Sequence, residues 1–218
     1  MRDIIFLVAD GEMRRTVEGF FEHEAYERRL QCNRFDFDPQ HDLVDHPGKD
    51  PGVYAEAHKF LELYRDTHSH AVVMLDFAFN DNVDTKNPQD LQQEILQNMI
   101  ESGWAADHVH IMVINPELEV LMWQENTQGI ERIIEYPDRQ KSLRDWLKDK
   151  GMWEEGLLKP QDPKGAIDLI RSQCWGKKKT RSQIFKRVAN SVSFKNCQDQ
   201  AFTGLWAQLQ EWYPVIYS

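Results

Sequence analysis

The sequence predicts an α/β fold: a mostly parallel β-sheet flanked by helices, with a helical C-terminal extension. Three observations predict it. Ile4–Val8, Ala71–Leu75 and Val109–Ile114 are short, largely apolar runs, the pattern of strands covered on both faces. The stretches between them carry helical periodicity, so the runs read as parallel neighbours joined by crossover helices. Each run also ends in acidic residues, namely Asp10 and Glu12, Asp76, and Glu117 and Glu119. Parallel strands bring their carboxyl ends to one edge, where α/β sheets bind ligands, so the gathered carboxylates form a candidate divalent-metal site.

Strand one covers residues 3 to 9 and turns at Gly11 into a helix running to about Arg29, with Val17, Phe20, Phe21 and Tyr26 as its apolar stripe. A second strand is expected at Cys32 to Phe37, where Phe35 and Phe37 alternate with Arg34, Asp36 and Asp38. The polar stretch Pro39 to Pro51 reads as a loop long enough to reach over a site. Helix two follows from about Gly52 to Thr67, then strand three at 71 to 76. Pro88-Gln89-Asp90 opens a third helix that Ser102-Gly103 closes, and strand four is 108 to 114. Asn115-Pro116-Glu117 looks like a helix start, with Asn as cap and Pro at the first position. Further helices are expected at 139–149, 163–174, 180–190 and 199–212. The chain therefore divides into an α/β domain, 1–150, and a helical extension, 151–218, with Gly151 to Pro163 as linker.

A chain of 218 residues, 41% hydrophobic, can bury a full core. Cys32, Cys174 and Cys197 show no metal-ligand spacing, which predicts reduced thiols and a cytoplasmic setting. The N-terminal apolar run is too short for a signal peptide, and no run approaches the roughly 20 residues that span a bilayer, so no membrane partner is expected. The net charge of −10 is unevenly spread. From Lys159 to Lys195, ten Lys/Arg face only Asp162 and Asp168. Lys177, Lys178, Lys179, Arg181, Lys186 and Arg187 are thus candidates for contact with a DNA or RNA backbone beside an acidic site. A solvated helix face, or two faces of opposite sign that dock together, would produce the same split.

Each candidate has a structural counterpart. Asp10 and Glu12 straddle Gly11, where Asp at a cap and Glu in a first turn stabilise a helix without any ligand. Asp76 directly follows five apolar residues, where a carboxylate is costly unless exposed or paired. Of Glu117 and Glu119, the latter is the expected ligand. His68 with His70, and His108 with His110, have chelating spacing but lie at strand beginnings, opposite the acidic edge. No nucleophile elbow and no glycine-rich phosphate loop is present, which sets hydrolase-triad and nucleotide-triphosphatase chemistry aside.

The strand-one acid, the strand-three aspartate and the later Pro-x-Leu-Glu-x-x-x-Trp segment together resemble TOPRIM-like proteins of bacterial antiviral defence, including relatives of the OLD-type nuclease domain. The Lys159-Pro160-x-Asp162-Pro163-Lys164 and Ala201-Phe202 segments are similar to an uncharacterised TOPRIM-related family. The resemblance implies an acid/base residue at Asp10, with Glu12 nearby, and a Mg²⁺ or Mn²⁺ site at Asp76. The second metal aspartate of that pattern falls on Ala78, with Asp81 or Asp84 as substitutes, and Glu119 as a further ligand. Two expectations follow. One is metal-dependent phosphodiester cleavage; the other is a non-catalytic subunit that binds other defence-system proteins.

Overall fold

The computed structural model describes residues 1–79, 87–123, 127–173, 179–191 and 197–215. Four strands, β1 (Arg2–Val8), β2 (Leu43–Asp45), β3 (His68–Asp76) and β4 (Val109–Ile114), form one all-parallel sheet in the order β2-β1-β3-β4. Ile4 to Val8 and Ala71 to Leu75 have no exposure at all, because helices cover both faces of the two central strands. The register aligns Val8 with Met74 and Asp76 with Ile114, so the strands end nearly level. The chain leaves β1 toward β2 and then returns to the other side of β1 for β3, which places a topological switch point between the carboxyl ends of β1 and β3.

The first crossover is α1 (Gly11–Phe21), α2 (Tyr26–Leu30) and an irregular segment; α3 (Lys49–Phe60) and α4 (Pro88–Glu101) make the next two. The single helix expected to Arg29 therefore breaks after Phe21. The strand expected at Cys32 to Phe37 is also absent; β2 lies eleven positions later, at Leu43–Asp45. Phe35 and Phe37 do point inward, against Phe21 at 5.3 and 4.8 Å between ring centres, and the Phe35 backbone bonds the Tyr26 hydroxyl rather than a strand. Alternation there records an extended segment lying on the core, which has the same period as a paired strand. After β4, the expected helix is a short 3₁₀ turn, Leu118–Met122, preceded by an extended Glu117. Asn115 does not cap it.

In the C-terminal part come α5 (Gln128–Ile134), α6 (Leu143–Asp149), α7 (Pro163–Gln173), α8 (Arg181–Ser191) and α9 (Gln200–Trp212). The expected segments contain α6, α7 and α9, and α8 runs one residue past its own, while α5 was not expected despite its Ile130, Ile133 and Ile134 spacing. Apolar residues of α8 and α9, among them Phe185, Phe202 and Leu205, belong to one continuous core with those of the sheet and α1. Among the described residues, no helix is long and apolar enough to cross a membrane.

Helix α1 packs closely against α8, and Gly19 permits it. A methyl group added at Gly19 would overlap the Lys186 carbonyl oxygen and stand 2.9 Å from the Ala189 Cβ. Gly19→Ala is therefore expected to lower unfolding free energy by about 1–3 kcal/mol in urea titration, as overpacking does. Gly11→Ala, where nothing lies within 4 Å, serves as the neutral comparison. Equal stability of the two variants would show that the α1–α8 seam gives way easily.

Candidate functional site

Asp10 and Asp76 flank the switch point. Asp10 is extended and accepts from the backbone N–H groups of Glu12 (2.8 Å) and Met13 (2.9 Å), so it caps α1. Asp76 ends β3. Its Oδ1 is sealed from solvent and has no hydrogen-bond partner among the described residues. Burial pushes its pKa well above the usual carboxylate range, and the charges of Asp50, Asp10 and Glu117 push it further; the Leu118 N–H bonds the carboxylate and pulls the other way.

Asp50, in the first turn of α3, closes the same edge from the β2 side. Its Oδ1 accepts the Asp76 backbone N–H at 2.8 Å, and burial, with the field of Asp10, raises its pKa too. Sequence reasoning missed Asp50 because the Pro39–Pro51 stretch reads as loop; the available signal was an Asp-Pro pair opening the helix that follows a strand. Lys164, from α7, is the nearest counter-charge. Its Nζ lies 2.8 Å from Glu117 Oε1, and that bond, with the fields of Glu117 and Asp76, holds its ammonium above the ordinary lysine value despite partial burial.

The expected ligand Glu119 does not join this group; Glu117 does. Glu119 is 3% exposed and pairs with Arg181, whose guanidinium also meets Glu12 at 3.0 Å and Asp168 at 3.1 Å. One arginine thereby joins the start of α1, the 3₁₀ turn after β4, α7 and α8. Lys186 pairs with Glu22 (2.6 Å) and Glu18 (3.3 Å), and Lys179 donates to the Ile133 carbonyl and pairs with Glu135. Three of the candidate nucleic-acid contacts, Lys179, Arg181 and Lys186, are thus engaged with carboxylates of the chain itself. Arg187 is exposed. Lys177, Lys178, Asp81 and Asp84 lie outside the described residues. Ala78 donates its N–H to the Pro116 carbonyl.

The histidine pairs divide at the opposite edge of the sheet. His68 Nε2 lies 3.2 Å from Asp42, which Arg2 also binds, while His70 stacks on Trp212 at 4.4 Å and meets the Tyr213 hydroxyl at 3.0 Å. Burial lowers the basicity of His70, as befits a neutral packing residue. Among the described residues, no group of three or more His, Cys, Asp or Glu is arranged to hold a metal ion. The acidic edge therefore supplies, at most, the one or two carboxylates that Mg²⁺ uses when waters and phosphate oxygens complete its shell. The orphaned Asp76 oxygen fits that sparse role. No protein-family model matches this chain, and neither a curated protein nor a solved structure shows significant similarity to it.

Proposed function

We propose that the acidic edge binds Mg²⁺ or Mn²⁺ through Asp76, assisted by Asp50, Asp10 or Glu117, and that it serves phosphodiester cleavage in nucleic-acid metabolism. One observation carries the reading: a buried carboxylate oxygen that has no partner among the described residues, beside three further carboxylates, at the switch point of a parallel sheet. A buried charge in such company is a liability unless a cation neutralises it. A bound ion of this kind would polarise a phosphoryl oxygen and neutralise developing charge. Lys164 stands beside Glu117, placed to hold a phosphate oxygen once a cation engages the carboxylates. Resemblance to TOPRIM-like proteins extends the reading to a component of an antiviral system.

A second reading has its own observation. Asp10 is spent on helix capping and Glu12 on Arg181, so both expected acid/base residues already have structural partners. A binding subunit, working beside a partner protein, needs neither.

Calorimetric titration and thermal melts test the first reading. Asp76 is protonated more readily in the folded chain than in the unfolded one, so its contribution is present below the ordinary carboxylate range, about pH 4, and is lost as pH rises through its raised value. Metal-free protein should therefore lose stability between mildly acidic and neutral pH, and millimolar Mg²⁺ or Mn²⁺ should restore it. Asp76→Asn should melt higher than wild type at neutral pH without metal, show a flatter pH dependence, and no longer respond to the cation. A wild-type melting temperature indifferent to metal would favour the binding-subunit reading.

A further inference from the structure

A cavity of about 700 Å³ lies along the outer side of β4, and none of Asp10, Asp50, Asp76 and Glu117 lines it. Its floor is the edge strand itself. Phe77 N–H donates to the Ile114 carbonyl, so the polar groups of Ile114 face β3 and, by alternation, those of Ile111 and Val113 face outward. Among the described residues nothing bonds these outward groups. In a strand edge the C=O of one residue and the N–H of the residue two further on stand side by side as an acceptor–donor pair. That pair complements any planar group presenting a donor next to an acceptor.

The walls suit an uncharged guest. Gln89 and Gln92 of α4 and Gln200 of α9 supply carboxamides, Leu157 and Leu158 supply exposed apolar surface, and Lys159 and Asp199 neutralise each other at 3.2 Å. His110 has no hydrogen-bond partner among the described residues, and burial lowers its basicity to about 4, so its ring is neutral at physiological pH. Gly204 faces that ring, 3.7 Å from Cε1 if a methyl were added, and its missing side chain keeps the space open.

We propose that this cavity binds a nucleobase or nucleoside, held edge-on by the Ile111 carbonyl and the Val113 N–H, with the carboxamides and His110 completing the contacts. Burial argues against an added peptide strand. Ile111 is 2% exposed and Val113 7%, so among the described residues α4, α9 and residues 157–160 crowd this edge and leave little of it open to an added strand. The volume falls in the usual range for small-ligand sites. The proposal does not rest on cation binding at the acidic edge.

The test is an amide-resolved NMR titration of the full chain, without metal, using the four ribonucleosides and a blocked neutral pentapeptide. At least one nucleoside should give saturable shifts centred on the Ile111 and Val113 amides. Gly204→Leu, which fills the chamber, should weaken that binding by about tenfold or more, a difference of at least about 1.4 kcal/mol. If Gly204→Leu does not fold, Gln92→Leu takes its place. No saturable shift with any nucleoside, shifts centred elsewhere, unchanged affinity in the folded variant, or preferential binding of the pentapeptide would each overturn the proposal.

Discussion

Arg181→Ala is expected to cost about 3–5 kcal/mol of stability, because it leaves a buried carboxylate without its counter-charge. Glu119 has a side chain only 4% exposed, and Arg181 is the ion-pair partner the structure gives it. Glu12 and Asp168, at 25% and 57% side-chain exposure, can turn to water and lose less. Pairing Arg181→Ala with Glu119→Gln should recover much of the loss, since a neutral amide tolerates the site. Arg181→Lys should recover little, because one ammonium cannot reach three carboxylates with a planar fork. Guanidinium would screen the very interaction at issue, so urea denaturation is the proper measurement. A loss below about 1 kcal/mol would mean that Glu119 reaches solvent after a small shift.

Phe202→Ala should cost a similar amount, about 3–5 kcal/mol, by opening a cavity where α9 meets α1. Phe202 is fully buried and meets Phe20 edge-on at 6.1 Å and Trp206 at 6.0 Å. The effect would appear as a lower urea midpoint with an unchanged slope. It also bears on the boundary expected at residue 150. If α9 only decorates an independent 1–150 unit, the variant should leave the sheet's amide-exchange protection untouched; if the core is shared, protection at Ile4 to Val8 should fall with global stability.

What the sequence reveals of the fold follows from what burial does to composition. Ile4 to Val8 and Ala71 to Leu75 are continuous apolar runs because both faces are covered, and their shortness, about five residues each, separates them from a buried helix. Asn87 and Pro88 mark the start of α4 because cap and first-turn preferences are local; Asn87 accepts the Asp90 N–H at 2.9 Å. The segment at Cys32 to Phe37 misled because alternation reports which side chains face the core, not whether the backbone has a strand to pair with. β2, only three residues long, leaves almost no pattern to read. At the site, Asp10 and Asp76 were legible from their place after apolar runs. Glu119 was not separable from Glu117, since the choice depends on a guanidinium 62 positions away. Asp50 was hidden because its role depends on where α3 begins in space.

The engagement of Lys179, Arg181 and Lys186 with carboxylates governs how fast charged molecules arrive. With Lys179, Arg181 and Lys186 paired to carboxylates, a chain of net charge −10 is expected to present a largely negative field to solvent. A nucleic acid approaching that field is slowed rather than steered, and salt, by shortening the range of repulsion to about 8 Å at physiological strength, should hasten the encounter instead of weakening it. Association would thus carry the opposite salt dependence from that of a basic nucleic-acid-binding protein, and a polyanion would gain entry most readily when divalent ions travel with it.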